Sequence, residues 1–244
     1  IEVCKEKNAD YLVFIDDDEI AEKNWLQSLL DTSQKYNAEV VSGPSLCKFE
    51  KKPSNAIQKV FFNRRRLITG SIIENCATNN VLINMNIFKE RPHLLFNKNF
   101  NLMGGGDTYF FMQAKALGTK LIWCDEAILY EFISYQRSRL KNLLLERYLR
   151  GHSLFYIFKM SSEKELNLKY VGGNLVKLPN EKQTTIKYRL NILALILKLV
   201  FRIIKLIISV LIYILKIKSF DKTLKLIYRI FETSGFLICL LKPS

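Results

Sequence analysis

The sequence predicts an α/β domain, a mixed sheet with flanking helices, followed by C-terminal amphipathic helices. Three observations carry this. Short apolar runs bounded by turns alternate with stretches of helical spacing. Over 244 residues, 49% are hydrophobic and 25% charged, which excludes a disordered chain. The net charge of +14 is unevenly spread: residues 1–62 hold 8 basic and 11 acidic side chains, 63–182 hold 18 and 10, and 183–244 hold 11 and 2.

In chain order, residues 2–7 read as a helix end. Tyr11-Leu-Val-Phe-Ile15 is a continuous apolar run, expected as a strand buried on both faces of a parallel sheet. It runs into Asp16-Asp17-Asp18-Glu19. Residues 24–36 place Trp25, Leu26, Leu29 and Leu30 at helical spacing. Residues 38–42 read as a strand closed by Gly43-Pro44. Residues 45–70 are polar and basic, with Arg64-Arg65-Arg66 and no regular element assigned. Cys76-Ala-Thr-Asn-Asn-Val-Leu-Ile83 reads as a loop entering a strand, and 86–90 as a short helical turn. Gly104-Gly105-Gly106-Asp107 opens a helix that stops at Gly118. Residues 121–124 and 127–130 read as strands, and 139–158 as a long helix. Residues 161–185 are polar, with Gly172-Gly173 and Pro179, and are expected as a linker.

The five cysteines lie far apart and show no zinc spacing with His93 or His152. Reduced, mostly core thiols in a cytosolic compartment are expected.

Three adjacent carboxylates beyond a strand end repel one another unless something positive sits there. A hard divalent cation bound through oxygens, with phosphates alongside, satisfies them. In an extended turn Asp16 and Asp18 would face one ligand while Asp17 turns aside. Capping and dipole complementation of the next helix is the other reading. The three glycines allow close backbone approach to a ligand. The lysine of a P-loop is missing. Asp107 reads either as an N-cap or as a carboxylate facing the metal site, a general base.

Taken together, residues 8–158 resemble the inverting family 2 glycosyltransferases. Phe14-Ile-Asp-Asp-Asp-Glu19 is similar to the family's D-x-D segment. Thr78-Asn-Asn-Val-Leu82 resembles its acceptor-side loop, and Met103-Gly-Gly-Gly-Asp-Thr-Tyr-Phe110 its G-G-E-D block. Tyr130-Glu131 through Arg139, Arg147 and Gly151 is similar to a stretch in the branch that builds bacterial surface polysaccharides. The resemblance implies a GT-A-like, Rossmann-like fold, a nucleotide-sugar donor, and Mg²⁺ or Mn²⁺. It implies Asp16 on donor ribose or metal, Asp18 on the metal, and Asp107 as base. Asn79, Asn80, Gly105 and Arg139 are the further donor- or substrate-binding candidates. Arg139 also reads as part of a solvated helix face. Two features depart from the family: Gly106 stands where a Glu is usual, and no Q-x-x-R-W is present. The family's base-binding strands normally precede the D-x-D strand, so an N-terminally truncated chain, weak or inactive alone, is expected.

The tail is amphipathic rather than spanning. Its longest uncharged run, 206–215, is half of what a bilayer needs. Lys198, Arg202, Lys205, Ser209 and Lys216 fall in one arc opposite Leu, Ile, Val and Phe, and Lys222, Lys225 and Arg229 repeat the arrangement. Packing of these helices on the domain or on a partner is the other reading. The expected organisation is therefore a catalytic domain at 1–160, a linker at 161–185, and membrane-associated helices at 186–244. The protein is expected to lie peripherally on the cytoplasmic membrane face, with a glycan or lipid-linked acceptor and an anionic membrane surface as partners. Nucleic acid is not expected as a partner. A non-catalytic remnant that binds membrane or a partner, and a metal-dependent phosphotransferase, are the rival readings.

Overall fold

In a computed structural model the described residues are 1–101, 104–163, 168–171, 174–177, 196, 197, 199–208 and 220–241. They form two units. The first comprises 1–51, 64–98 and 106–134, the second 52–63, 99–105 and 135–244.

The first unit is mixed α/β, as the sequence predicts. Its elements are α1 (Glu2–Glu6), β1 (Tyr11–Ile15), β2 (Glu19–Ala21), α2 (Trp25–Tyr36), β3 (Val40–Ser42) and β4 (Ser45–Phe49). After α3 (Asn55–Phe61), which belongs to the second unit, come β5 (Asn80–Asn84), α4 (Asn86–Glu90), α5 (Gly106–Ala116), β6 (Leu121–Trp123) and β7 (Leu129–Ile133). One sheet has the order β1-β5-β3-β6, with β5 antiparallel to both neighbours and β3 parallel to β6. A second sheet has the order β2-β7-β4, antiparallel then parallel.

The strand period of two sorts the main sheet into two cores. Val40, Val81, Ile83, Leu121 and Trp123 face one cluster with Ile87, Phe88, Phe110 and Phe111 from the helices α4 and α5. Val41, Leu82 and Ile122 face the other, closed by Leu29 of α2. Helices thus cover both faces, the GT-A-like arrangement expected. β1 departs from its expected place. Among the described residues it is antiparallel to β5 and pairs on one side only, so it is half-buried rather than central, and Ile15 is 43% exposed.

The second unit holds α3, α6 (Tyr135–Ser138), α7 (Leu140–Glu163), β8 (Leu168–Val171), β9 (Asn174–Lys177), α8 (helical at 196, 197 and 199–208) and α9 (Phe220–Leu241). The apolar side of α9 is occupied. Phe236 and Leu237 pack with Leu154 and Phe158 of α7, and Leu224 with Phe61 and Leu143. α7 therefore groups with the C-terminal helices in the second unit, whose last segment begins at Tyr135. Part of the expected linker is a β-hairpin. β8 pairs antiparallel with β9, two β-prone runs separated in sequence by Gly172-Gly173. Residues 161–163 of that linker end α7, while 164–167, 172–173, 178–195, Lys198, Ser209 and Lys216 fall outside the described residues, as does Met103.

Candidate active site

The carboxyl ends of β1, β3 and β6 and the start of β5 lie at one end of the main sheet, since Ile15 pairs with Asn80 and Ser42 with both Val81 and Trp123. Ligands of open α/β sheets bind beyond such an end. The acidic run folds there as a hydrogen-bonded turn, Glu19 N donating to Asp16 O at 3.2 Å, not as an extended segment. Phe132 N donates to Asp18 O at 3.2 Å and so fixes the turn against β7. Asp16, Asp17 and Asp18 are exposed at this rim.

Glu19 ties the turn to two further segments. Its Oε1 accepts from Ser45 Oγ at 2.5 Å and from Asn79 Nδ2 at 2.8 Å, while Oε2 accepts from Asp16 N at 3.3 Å. Burial pushes its carboxyl above the ordinary range, and the Ser45 and Asn79 hydrogen bonds pull it back. It lies opposite Glu131 across the β2–β7 pair, where like charges are unfavourable. Arg64 makes an ion pair with Glu131 and so relieves part of that repulsion.

The aspartates converge electrostatically. Asp16 is pushed up first by burial, then by Asp18, Glu131, Asp17 and Asp107. Asp16, Asp18 and Asp107 thus share one negative field. α5 starts at Gly106, so Asp107 sits within its first turn rather than capping it, and Asp107 Oδ1 accepts from Thr108 N at 2.6 Å. Cys76 stays a thiol: burial, then the Asp107 charge, push it well up, and Arg65 opposes them. Among the described residues, no three His, Cys, Asp or Glu side chains form a ready-made metal cage. Magnesium-type sites commonly use one or two carboxylates and take the remaining oxygens from phosphates and water. The Asp16–Asp18 turn has the chemistry for that arrangement, and the mutual repulsion around Asp16 is what a cation would relieve.

Two other candidates also have structural contacts. Asn80 is 1% exposed. Its Nδ2 donates to Pro44 O at 3.0 Å and Ala127 O at 2.8 Å, and its Oδ1 accepts from Trp25 Nε1 at 2.8 Å. Its whole amide is committed to tying Trp25 of α2 to the segments that lead into β4 and β7. Gly105 has φ +85°, and a Cβ there would meet Ser153 at 3.2 Å and Ile157 at 3.1 Å. Its missing side chain is needed for the backbone turn and for packing on α7. Arg139 is exposed in the second unit, its Nη1 3.4 Å from Gln136 Oε1.

Sequence reasoning missed Glu19, Ser45, Glu131 and Arg64 as members of this rim. Glu19 left a signal as the fourth acid of its run, Arg64 in the Arg64–Arg66 cluster and Glu131 in the Tyr130-Glu131 stretch, whereas Ser45 left none.

Residues 2–116 match the family model described as Glycosyl transferase family 2, which bears out the resemblance over those residues. No curated protein matches the chain. Among solved structures, the chain is similar to S. aureus TarS 1–349 in complex with UDP, at 12% identity and a TM-score of 0.39. The match covers 65% of this chain and 49% of that one, so the chain spans about half the length of that structure.

Proposed function

We propose, from a family 2 glycosyltransferase domain over residues 2–116, that the protein transfers a sugar from a nucleotide-sugar donor to a glycan or lipid-linked acceptor with inversion. The observation that carries this reading is the shared field of Asp16, Asp18 and Asp107. Asp18 from the same turn and Asp107 from the first turn of α5 both act on Asp16 at the ligand-binding end of the sheet.

Asp16 and Asp18 would hold a Mg²⁺ or Mn²⁺ ion, which when bound neutralises charge building on the leaving diphosphate. Asp107 takes the proton of the acceptor hydroxyl. The hydroxyl oxygen then bonds to the anomeric carbon from the face opposite the diphosphate. The carbon–oxygen bond to the diphosphate breaks, its electron pair leaves with the nucleoside diphosphate, and configuration inverts. Glu19 holds the Asn79 side chain and the Asp16 turn in register for this step.

The test is transfer from nucleotide-sugar donors by the full-length gene product, with the anomeric configuration of the product read by NMR. Inverted product that disappears with EDTA is expected. A retained configuration, a phosphorylated product, or equal turnover in EDTA would overturn the reading.

A further inference from the structure

α8 has three kinds of surface. One side is packed: Ile196 and Leu199 lie against the Leu154, Phe158, Phe236 and Leu237 cluster. A second side is apolar and open. Leu197, Val200, Phe201, Ile204, Ile207 and Ile208 are each 47–60% exposed. At 3.6 residues per turn these six fall within an arc of roughly 120°. The third is the basic edge beside that arc. The Lys205 ammonium sits over the exposed Phe201 ring at 4.5 Å from its centroid. Arg202 donates to Arg229 O at 3.2 Å and to the Thr233 hydroxyl, which fixes α8 along α9.

The charge around the open arc has one sign. Among the described side chains of 196–239, the exposed charges are Lys205, Lys222, Lys225 and Arg229. Of the two acids in that stretch, Asp221 and Glu232, the side chain of Glu232 is described and is buried against Arg150. No helix among the described residues is long and apolar enough to cross a membrane.

We infer that the Leu197–Ile208 face of α8 docks in the plane of an anionic lipid bilayer, with its apolar arc among the acyl chains and its cations at the headgroups. A single contiguous apolar arc edged by Lys over Phe is the composition of an interfacial helix. A second copy of this chain would bring like charge to like charge, whereas an anionic leaflet complements it. This docking is independent of the transferase chemistry.

Flotation of the full chain with vesicles tests it. Vesicles of phosphatidylcholine alone are compared with vesicles containing about one-third phosphatidylglycerol. Binding to the anionic vesicles should exceed binding to the neutral ones by about tenfold or more, and fall without vanishing at about 1 M salt. Phe201→Glu/Ile204→Glu/Ile208→Glu replaces exposed side chains, so its thermal melt should match wild type while flotation falls by about tenfold or more. If that variant fails to fold, Lys205→Glu/Lys225→Glu carries the test, with about a fivefold loss for each cation removed. No flotation on anionic vesicles, or flotation unchanged by folded variants, overturns the inference. A concentration-dependent dimer that the triple variant dissolves, without flotation, also overturns it and assigns the face to a second copy.

Discussion

Replacing Asp16 by Asn removes one of several carboxylates that crowd the end of β1. In the fold this carboxyl is raised by burial and by its acidic neighbours, so its charged form is disfavoured there. The sign follows from linkage. Below the ordinary carboxyl pKa of about 3.9, Asp16 is protonated folded or unfolded, and the variant gains nothing. As pH rises through that value and then the raised one, the wild type loses stability that the variant keeps. The exposed rim screens the effect, so Asp16→Asn should gain about 0.5 kcal/mol at pH 7, roughly 1–2 °C. Mn²⁺ should raise the melting temperature of wild type and leave that of the variant unchanged. A variant less stable than wild type at pH 7, or stabilised equally by Mn²⁺, would remove Asp16 from the cation site. At this scale Asp16, Asp18 and Asp107 were legible because acids clustered beyond a strand and after a glycine turn are chemically costly without a purpose. The two adjacent asparagines were not told apart: Asn79 points to Glu19 while Asn80 points to Pro44 and Ala127. That alternation is visible only once β5 has a register.

Elements defined by their own periodicity were readable, among them α2, α5, α7 and the strands β3, β5 and β6 of the main sheet. Those defined by a partner were not. β2 is Glu-Ile-Ala after an acidic turn, and it is a strand because β7 pairs with it. β4 carries Cys47 and Lys48 and is ordered by the parallel register with β7. α3 did leave a local signal, since Ser54 Oγ accepts from Ile57 N at 3.4 Å as an N-cap does. The α7–α9 pair shows what a glycine can hide. A Cβ at Gly151 would collide with the Glu232 carbonyl and come 2.8 Å from Phe236 N, and one at Gly235 would collide with the Tyr148 carbonyl. The two backbones therefore touch at this crossing. Gly151→Ala must push the helices apart, and should cost about 1–3 kcal/mol despite alanine's better helix propensity. Thermal melts read this, and a stabilised Gly151→Ala would mean the helices do not cross so closely.

Across the whole chain, charge and packing divide at different places. Acid dominates residues 1–62, which supply Asp16 and Asp18 to the candidate site, and base dominates 183–244. Packing instead draws 52–63 and 99–105 into the second unit with α7 and α9. Composition revealed the first division, because charge is local in sequence. The second depends on contacts between distant segments, such as Phe61 with Tyr228, and had no trace in local pattern. What joins site to function is the base. Asp107→Asn keeps the shape of the first turn of α5 and its hydrogen bond to Thr108, but cannot accept a proton. The most direct measurement is therefore the single-turnover rate of sugar transfer by the full-length gene product carrying Asp107→Asn, with donor and Mn²⁺ saturating. A fall of about 10²–10⁴ with donor affinity unchanged is expected, the usual worth of a general base. A rate within about threefold of wild type, far short of that loss, would contradict it and leave Asp107 a residue of the helix alone.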